Sequence, residues 1–203
     1  MITITLPSND KKQYDKPVTS AEIVNEISEK LKSDALVSKV NGELWDLDRP
    51  IEVDSKITIL TKKDKETLDV IRHDAAHIMA EAVLELFPET QVTIGPSIEN
   101  GFYYDFYREK KFILSDLEII EKRMHEIVDR DETISREVWS REKAIAHFKK
   151  NNEKFKLELV KAIPENETVT FYRQGKFLDL CRGPHACSTK KLGHSFKLTK
   201  LAG

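Results

Sequence analysis

The chain has 203 residues, of which 39% are hydrophobic and 33% charged, and its formal net charge is −2. This composition excludes a disordered tail, and a membrane protein is excluded because no apolar run approaches membrane-spanning length. The charge also argues against a protein that coats nucleic acid, although it allows the grip of a single strand end. The opening residues lack the layout of a signal peptide, so we expect a cytoplasmic protein. The two cysteines, Cys181 and Cys187, favour a thiol role over a disulfide.

Residues 1–61 show the pattern of a small mixed domain. Apolar and polar residues alternate in its strand candidates, Asn41-Gly42 marks a tight hairpin, and apolar residues recur at helical spacing after Thr19. The predicted elements, in chain order, are a hairpin of MITITL with Lys16–Thr19, a helix AEIVNEISEKL, a hairpin within LVSKVNGELWDL and a last strand KITIL. This order resembles the ubiquitin-like β-grasp unit called the TGS domain.

A charged break at residues 62–66 separates this unit from a predicted larger domain, residues 62–203. One helix is predicted over ETLDVIRHDAAHIMAEAVLELF, and a capping box from Ser115 to Glu118 opens a second, DLEIIEKRMHEIVD. The strand candidates are QVTIG, GFYYDFY, ISREVW, VTFYRQ, FLDLC and HSFKL. The sequence therefore predicts the α+β class, with two domains.

The first candidate for chemistry is the pair His73 and His77. Four residues turn a helix by about 400°, so the two imidazoles lie on one face and can converge on one small object. Leu68, Ile71, Ala75, Met79 and Ala82 form the main apolar stripe of this helix, while Asp74, Glu81 and Glu85 form an acidic stripe that we expect to face solvent. Ordinary surface or core histidines are the alternative. The metalloprotease pattern H-E-x-x-H does not fit, because Asp74 stands in place of the glutamate.

The second candidate is the run Cys181-Arg182-Gly183-Pro184-His185, which follows a strand-like segment. The Gly-Pro turn brings Cys181 and His185 back towards each other at the strand end. They can serve as nucleophile and base, as a metal pair or as hydrogen-bonding groups for a ligand. The alternative is a buried cysteine used as a small hydrophobe.

The two candidates and their flanking segments resemble one family. IRHDAAHIMAEAV, TIGPSIENGFYYDF, DLCRGPH and HSFKLTKLAG are similar to the editing domain of bacterial threonyl-tRNA synthetases, in which a TGS domain comes first. The editing domain of alanyl-tRNA synthetases is also similar. The resemblance implies hydrolysis of serine from tRNA that should carry threonine. It also implies that an aminoacylation core is absent here, as in a fragment.

The resemblance assigns roles to particular residues. It implies His73 as the base that positions or activates water, Lys156 as the group that orients water or stabilises charge, and Asp179 as the holder of the serine amino or hydroxyl group. His77, Cys181 and His185 would bind the ribose or the seryl group, with Tyr104 and Gly95 as contacts of the terminal nucleotide.

Metal and partners are further expectations. Zinc at His73, His77, Cys181 and His185 is chemically possible, as in the alanyl type, but we expect no metal because the threonyl type is understood to work without one. The expected partner is the acceptor end of tRNA, with a homodimeric full-length enzyme and a monomeric fragment. A zinc-dependent hydrolase acting in trans and a non-catalytic tRNA-binding module stay as alternatives.

Overall fold

The computed structural model describes residues 1–202 and divides them into two compact units. The first unit is Met1–Ile71 with the segment Gly183–Cys187. The second is Arg72–Arg182 with the described residues from Ser188 on.

The first unit extends past the charged break at residues 62–66, where the sequence places a boundary. Val70, three residues into the next helix, packs against Val37 and Leu60. The hydroxyl of Thr67 donates to the carbonyls of Thr61 and Asp64. These contacts hold the start of that helix on the first unit.

The first unit has the β-grasp arrangement expected from the sequence. Its elements are β1 (Ile2–Thr5), β2 (Lys11–Tyr14), β3 (Val18–Thr19), α1 (Ser20–Ile27), α2 (Glu29–Asp34), β4 (Ala35–Val40), β5 (Glu43–Trp45), β6 (Pro50–Ile51) and β7 (Ser55–Thr61). The main sheet has the order β2-β1-β7-β4-β5, in which β1 and β7 run parallel. Ile4 and Ile57 of these two strands pack with Ile23 of α1 in the core.

Three local predictions in the first unit can now be judged. Asn41 and Gly42 both have positive φ, 51° and 95°, as the predicted tight hairpin between β4 and β5 requires. The first hairpin was predicted with the wrong partner, because β1 pairs with β2, a polar edge strand, rather than with Lys16–Thr19. The single predicted helix is broken at Ser28, whose extended backbone ends α1 and whose hydroxyl caps α2.

The second unit mixes helices with short strands. Its elements are α3 (Thr67–Leu86, which starts in the first unit), β8 (Gln91–Val92), β9 (Ser97–Ile98), β10 (Gly101–Phe102), β11 (Phe106–Tyr107), α4 (Leu114–Asp129), β12 (Ile134–Trp139), α5 (Arg141–Lys150), α6 (Lys154–Ala162), β13 (Val169–Gln174), β14 (Phe177–Leu180) and a 3₁₀ turn (Thr189–Lys191). The antiparallel sheet β12-β13-β14 packs against α5 and α6 through a core that includes Trp139, Phe148, Val160 and Phe171. Among residues 1–202, every helix is too short or too polar to cross a membrane.

Some predicted elements of the second unit differ from the structure. QVTIG and GFYYDFY are strands only in part: β8 pairs with β11, and β10 pairs with β9, which lies after QVTIG in the chain. The predicted capping box at Ser115 is wrong, since α4 begins earlier and the Asp116 carboxylate accepts from the amide of Ile113. HSFKL is not a strand: His194 and Phe196 stack with His125 of α4, and the amide of Leu198 donates to Glu121.

The acidic stripe of α3 does not face solvent as expected. Asp74 and Glu81 are 1% and 3% exposed, whereas Leu68 of the predicted apolar stripe is 45% exposed. The helix is enclosed on most sides, so an amphipathic pattern does not identify its wet face. Burial raises the pKa of Glu81 to about 8, the charge of Glu132 adds to this, and a hydrogen bond from Gln174 opposes it.

We expect Glu81→Gln to flatten the dependence of stability on pH. The folded-state pKa of Glu81 lies above its ordinary value, so the folded protein binds this proton more tightly than the unfolded chain does. The resulting stabilisation of the fold is complete below about pH 4.5 and is lost as pH rises to about 8. Chemical denaturation at several pH values tests this. Glu85→Gln is the matched control, since hydrogen bonds from Arg130, opposed by burial, lower the pKa of Glu85 to about 2 and its contribution is lost only in acid. An unchanged slope between pH 5 and 8 in Glu81→Gln contradicts this account.

Candidate active site

Helix α3 presents His73 and His77 on one face, as their spacing predicts. The ring centroids lie 4.8 Å apart, and the rings meet edge to face. His77 is buried and His73 half-buried. A pair of this kind offers one imidazole in a fixed, dry position and another that is open to a ligand.

Strand β14 supplies the opposite wall through every second residue. Phe177, Asp179 and Cys181 share one face because strand side chains alternate. The Phe177 ring lies 5.9 Å from the His77 ring, and Asp179 Oδ2 lies 3.7 Å from His77 Nε2. Cys181 Sγ lies 3.4 Å from His73 Nε2. Alternate side chains at the end of the strand thus lie beside the two histidines, which are four residues apart on the helix.

Helix α6 adds a buried cation to this group. Lys156 and Val160 lie one turn apart on the buried face of α6, and the Lys156 side chain is only 2% exposed. Its ammonium forms an ion pair with Asp179 Oδ1 and donates to Tyr104 Oη over 3.2 Å. Because both charges are buried, each depends on the other for compensation.

Tyr104 holds the other oxygen of Asp179. Its hydroxyl donates to Asp179 Oδ2 over 2.6 Å. Burial, together with the charge and hydrogen bond of Asp179, raises the pKa of Tyr104 well above its ordinary value. Burial alone would also raise the pKa of Asp179, but Lys156, His77 and the Tyr104 hydrogen bond outweigh it and lower this pKa. Asp179 is therefore an ionised carboxylate beside a neutral phenol.

Gly95 makes room for the Tyr104 ring. A Cβ atom at position 95 would lie 2.1 Å from Tyr104 Cδ2 and 2.5 Å from Cε2, far inside contact distance. The backbone at Gly95 therefore sets how closely Tyr104 can approach Asp179.

We expect Gly95→Ala to displace the Tyr104 ring. The substitution should lower the free energy of unfolding by about 1–3 kcal/mol, the usual cost of overpacking, and loosen Asp179. Thermal unfolding measures the first effect. Tyr104→Phe is the control, because it removes the hydroxyl and keeps the ring. Equal unfolding temperatures for Gly95→Ala and the wild type would show that the ring is not confined.

These side chains surround one open cavity of about 450 Å³. Its lining includes six of the residues singled out from the sequence: His73, His77, Gly95, Lys156, Asp179 and Cys181. Tyr104 lies behind this wall, 7% exposed, and is bonded to Asp179. Its geometry is that of a support for Asp179 rather than of a nucleotide contact.

His185 belongs to the first unit. It is buried, and its backbone N–H donates to Asp46 Oδ1 over 2.9 Å. The segment Gly183–Cys187 groups with that unit. Its role in binding the ribose or the seryl group stays a prediction.

Several lining residues were missed in the sequence. Ile94, Pro96, Ser97, Leu180 and Arg182 also line the cavity. The Gly-Pro step at 95–96 is a turn signal that could have marked the first three. Arg182 stands next to Cys181, but its sequence position alone does not distinguish it from a surface arginine.

Three side chains could together act as metal ligands. The ligand atoms of His73, His77 and Cys181 lie within 4.8 Å of one another. Imidazole nitrogens and a thiolate are ligands that zinc accepts. The Lys156 ammonium faces the same cavity, and its charge opposes a bound dication.

Comparisons with known proteins identify two domains in this chain and a set of similar enzymes. A family model described as the TGS domain matches residues 2–61, and one described as the threonyl and alanyl tRNA synthetase second additional domain matches residues 169–203. The chain is 54% identical over all its 203 residues to the threonine–tRNA ligase of Rickettsia bellii (strain OSU 85-389), covering 32% of it. The corresponding ligases of Rickettsia akari (strain Hartford) and Phenylobacterium zucineum (strain HLK1) are 55% and 54% identical over the same residues, with 32% and 31% covered.

The sequence matches the amino-terminal region of bacterial threonyl-tRNA synthetases. The chain spans about a third of the length of these relatives. The resemblance to bacterial threonyl-tRNA synthetases and the α+β fold with an amino-terminal TGS domain are thus confirmed. The cavity lies in the unit that contains most of the match to the threonyl and alanyl tRNA synthetase second additional domain.

Proposed function

We propose that the protein uses this cavity to hydrolyse the ester bond between serine and a tRNA that should carry threonine. The observation that supports the proposal is the meeting of five chemically active side chains in one cavity: His73, His77, Lys156, Asp179 and Cys181. Its volume of about 450 Å³ lies in the range of small-ligand sites. The match to a synthetase family supplies the substrate class.

The need for such a site follows from the small difference between the two amino acids. Serine lacks one methyl group of threonine, and a binding pocket gains only about 1–3 kcal/mol from one such group. A synthetase that selects threonine therefore also attaches serine to tRNA. A second pocket that admits serine and excludes the larger threonine removes this product.

In the proposed reaction His73 takes a proton from water, and the water oxygen attacks the ester carbonyl carbon. The Lys156 ammonium stabilises the negative charge that develops on the carbonyl oxygen. The bond from carbon to the ribose oxygen then breaks, and that oxygen receives the proton. The products are free serine and tRNA with an intact terminal ribose.

Asp179 is proposed to hold the serine ammonium group. Its lowered pKa keeps it charged, its Oδ1 forms the ion pair with Lys156, and its Oδ2 accepts from Tyr104. Each carboxylate oxygen has two lone pairs, so capacity for a ligand donor remains. His77, Cys181 and His185 are proposed to bind the ribose or the seryl group, and Gly95 to border the terminal nucleotide.

We propose that the reaction needs no metal. The buried Lys156 charge in the cavity supports this, because it takes the electrostatic role that a metal ion would have. A zinc-dependent hydrolase of the alanyl type is the second candidate, favoured by the closeness of the three ligand atoms.

A time course of seryl-tRNA deacylation, run with and without a chelator, tests the proposal. We expect hydrolysis that the chelator leaves unchanged and a purified protein without stoichiometric zinc. Loss of activity with chelator, restored by zinc, would favour the second candidate. Saturable tRNA binding without hydrolysis would instead favour a non-catalytic binding module.

The similarity to threonine–tRNA ligases also supports proposals about partners. We propose that the acceptor end of tRNA enters the cavity and that the protein acts in the cytoplasm. A homodimeric full-length enzyme and a monomeric state for this chain are further proposals.

A further inference from the structure

A second, smaller cavity adjoins the first. It has a volume of about 180 Å³ and shares with the main cavity the consecutive residues Leu180, Cys181 and Arg182. Three consecutive residues span at most about 7 Å, because each step along the chain covers no more than about 3.3–3.6 Å. An occupant of the smaller cavity therefore lies one short covalent link away from an occupant of the main one.

The remaining walls of the smaller cavity combine apolar and polar side chains. Leu159 and Ile163, at the end of α6, provide apolar surface, and Thr168 and Thr170, around the start of β13, provide small polar side chains. The Thr170 hydroxyl donates to the carbonyl of Cys181, which fixes the shared wall. The half-buried Leu159 and the exposed Thr168 leave the cavity accessible.

Arg182 stands at the junction of the two cavities. Its side chain is 80% exposed, and its guanidinium pairs with Glu167 over 2.6 Å. An exposed ion pair of this kind contributes little to stability, so the guanidinium can exchange Glu167 for a stronger anionic partner. The planar guanidinium matches the oxygens of a phosphate.

We propose that the smaller cavity binds the nucleotide that precedes the terminal adenosine, and that Arg182 binds the phosphate joining the two. This inference rests on the proposed function, because the aminoacylated adenosine then occupies the main cavity. Hydrolysis in the main cavity thereby depends on the polynucleotide as well as on the seryl ester.

The test compares two non-hydrolysable amide analogues. One is 3′-deoxy-3′-serylamido-adenosine, and the other carries an additional 5′-linked cytidine monophosphate. We expect the wild type to bind the dinucleotide about tenfold more tightly, the scale of one charge-assisted contact. Arg182→Ala should remove most of this difference, and Arg182→Lys should restore part of it. The slope of log affinity against log salt should fall by about 0.7 in Arg182→Ala, as for one phosphate of a single strand.

Two further variants separate the subsite from general effects. Thr168→Trp should fill the smaller cavity and weaken the dinucleotide while the nucleoside analogue binds as before. Lys122→Ala, which removes an exposed charge from α4 outside both cavities, should change neither affinity.

The outcomes keep this inference distinct from the proposed function. Equal affinities of the wild type for the two analogues, together with normal deacylation, overturn the subsite alone. Phosphate-dependent binding without deacylation supports the subsite and overturns the hydrolysis. Equal losses for both analogues in Arg182→Ala also overturn the subsite, because they place Arg182 on the nucleoside.

Discussion

His73→Ala should lower deacylation of seryl-tRNA by about 10²- to 10⁴-fold, the usual contribution of a general base. His73 lines the cavity and is half-buried, so its removal leaves the core of the second unit intact. Single-turnover deacylation measures the rate.

His194→Ala is the matched control for this variant. Its imidazole is also in the second unit and half exposed, but it stacks on His125 and lies outside the cavity lining. We expect wild-type deacylation from the control. Wild-type activity in His73→Ala, with both variants folded, contradicts the assignment of the base.

Lys156→Met should destabilise the protein by about 3–5 kcal/mol, because it leaves the Asp179 carboxylate buried without its cation. In the wild type, the lowered pKa of Asp179 gives stability that is present above its ordinary pKa and lost as pH falls through the folded-state value. In the variant, burial instead raises the pKa of Asp179. Protonation of Asp179 in acid then removes the buried charge, so the variant should be more stable at the lower pH. Denaturant unfolding at pH 5 and pH 7 measures both effects.

Lys154→Met is the control on the same helix, since Lys154 is exposed. Its effect should stay within about 0.5 kcal/mol, as for ordinary surface substitutions. The double variant Lys156→Met with Asp179→Leu should recover part of the lost stability, because neither charge is then buried. If Lys156→Met is as stable as Lys154→Met, the ion pair does not compensate the two buried charges as described.

The sequence predicts those parts of the site that local periodicity determines. The helical step from His73 to His77 and the strand alternation from Asp179 to Cys181 depend only on residues that are close in the chain. The structure has both patterns, in α3 and at the end of β14. The sequence alone could therefore assign each of these side chains to a face of its helix or strand.

Other features depend on long-range packing that no local pattern contains. The burial of Lys156 follows from its contacts with Asp179 and Tyr104, which lie 23 and 52 residues away in the chain. The buried Glu81 accepts a hydrogen bond from Gln174, which lies 93 residues away in the chain. The pairing of β1 with β2 was missed for a different reason, because a polar edge strand such as Lys11–Tyr14 lacks the alternation that identifies strands.

The most direct test of the central claim is the ratio of kcat/KM for deacylation of seryl-tRNA to that for threonyl-tRNA, with both amino acids on the same threonine-specific tRNA. We predict that the wild-type chain hydrolyses the seryl ester with a preference of at least about tenfold, which is the lower end of what one methyl group can provide. Equal rates for the two esters, or hydrolysis of neither, would contradict the account.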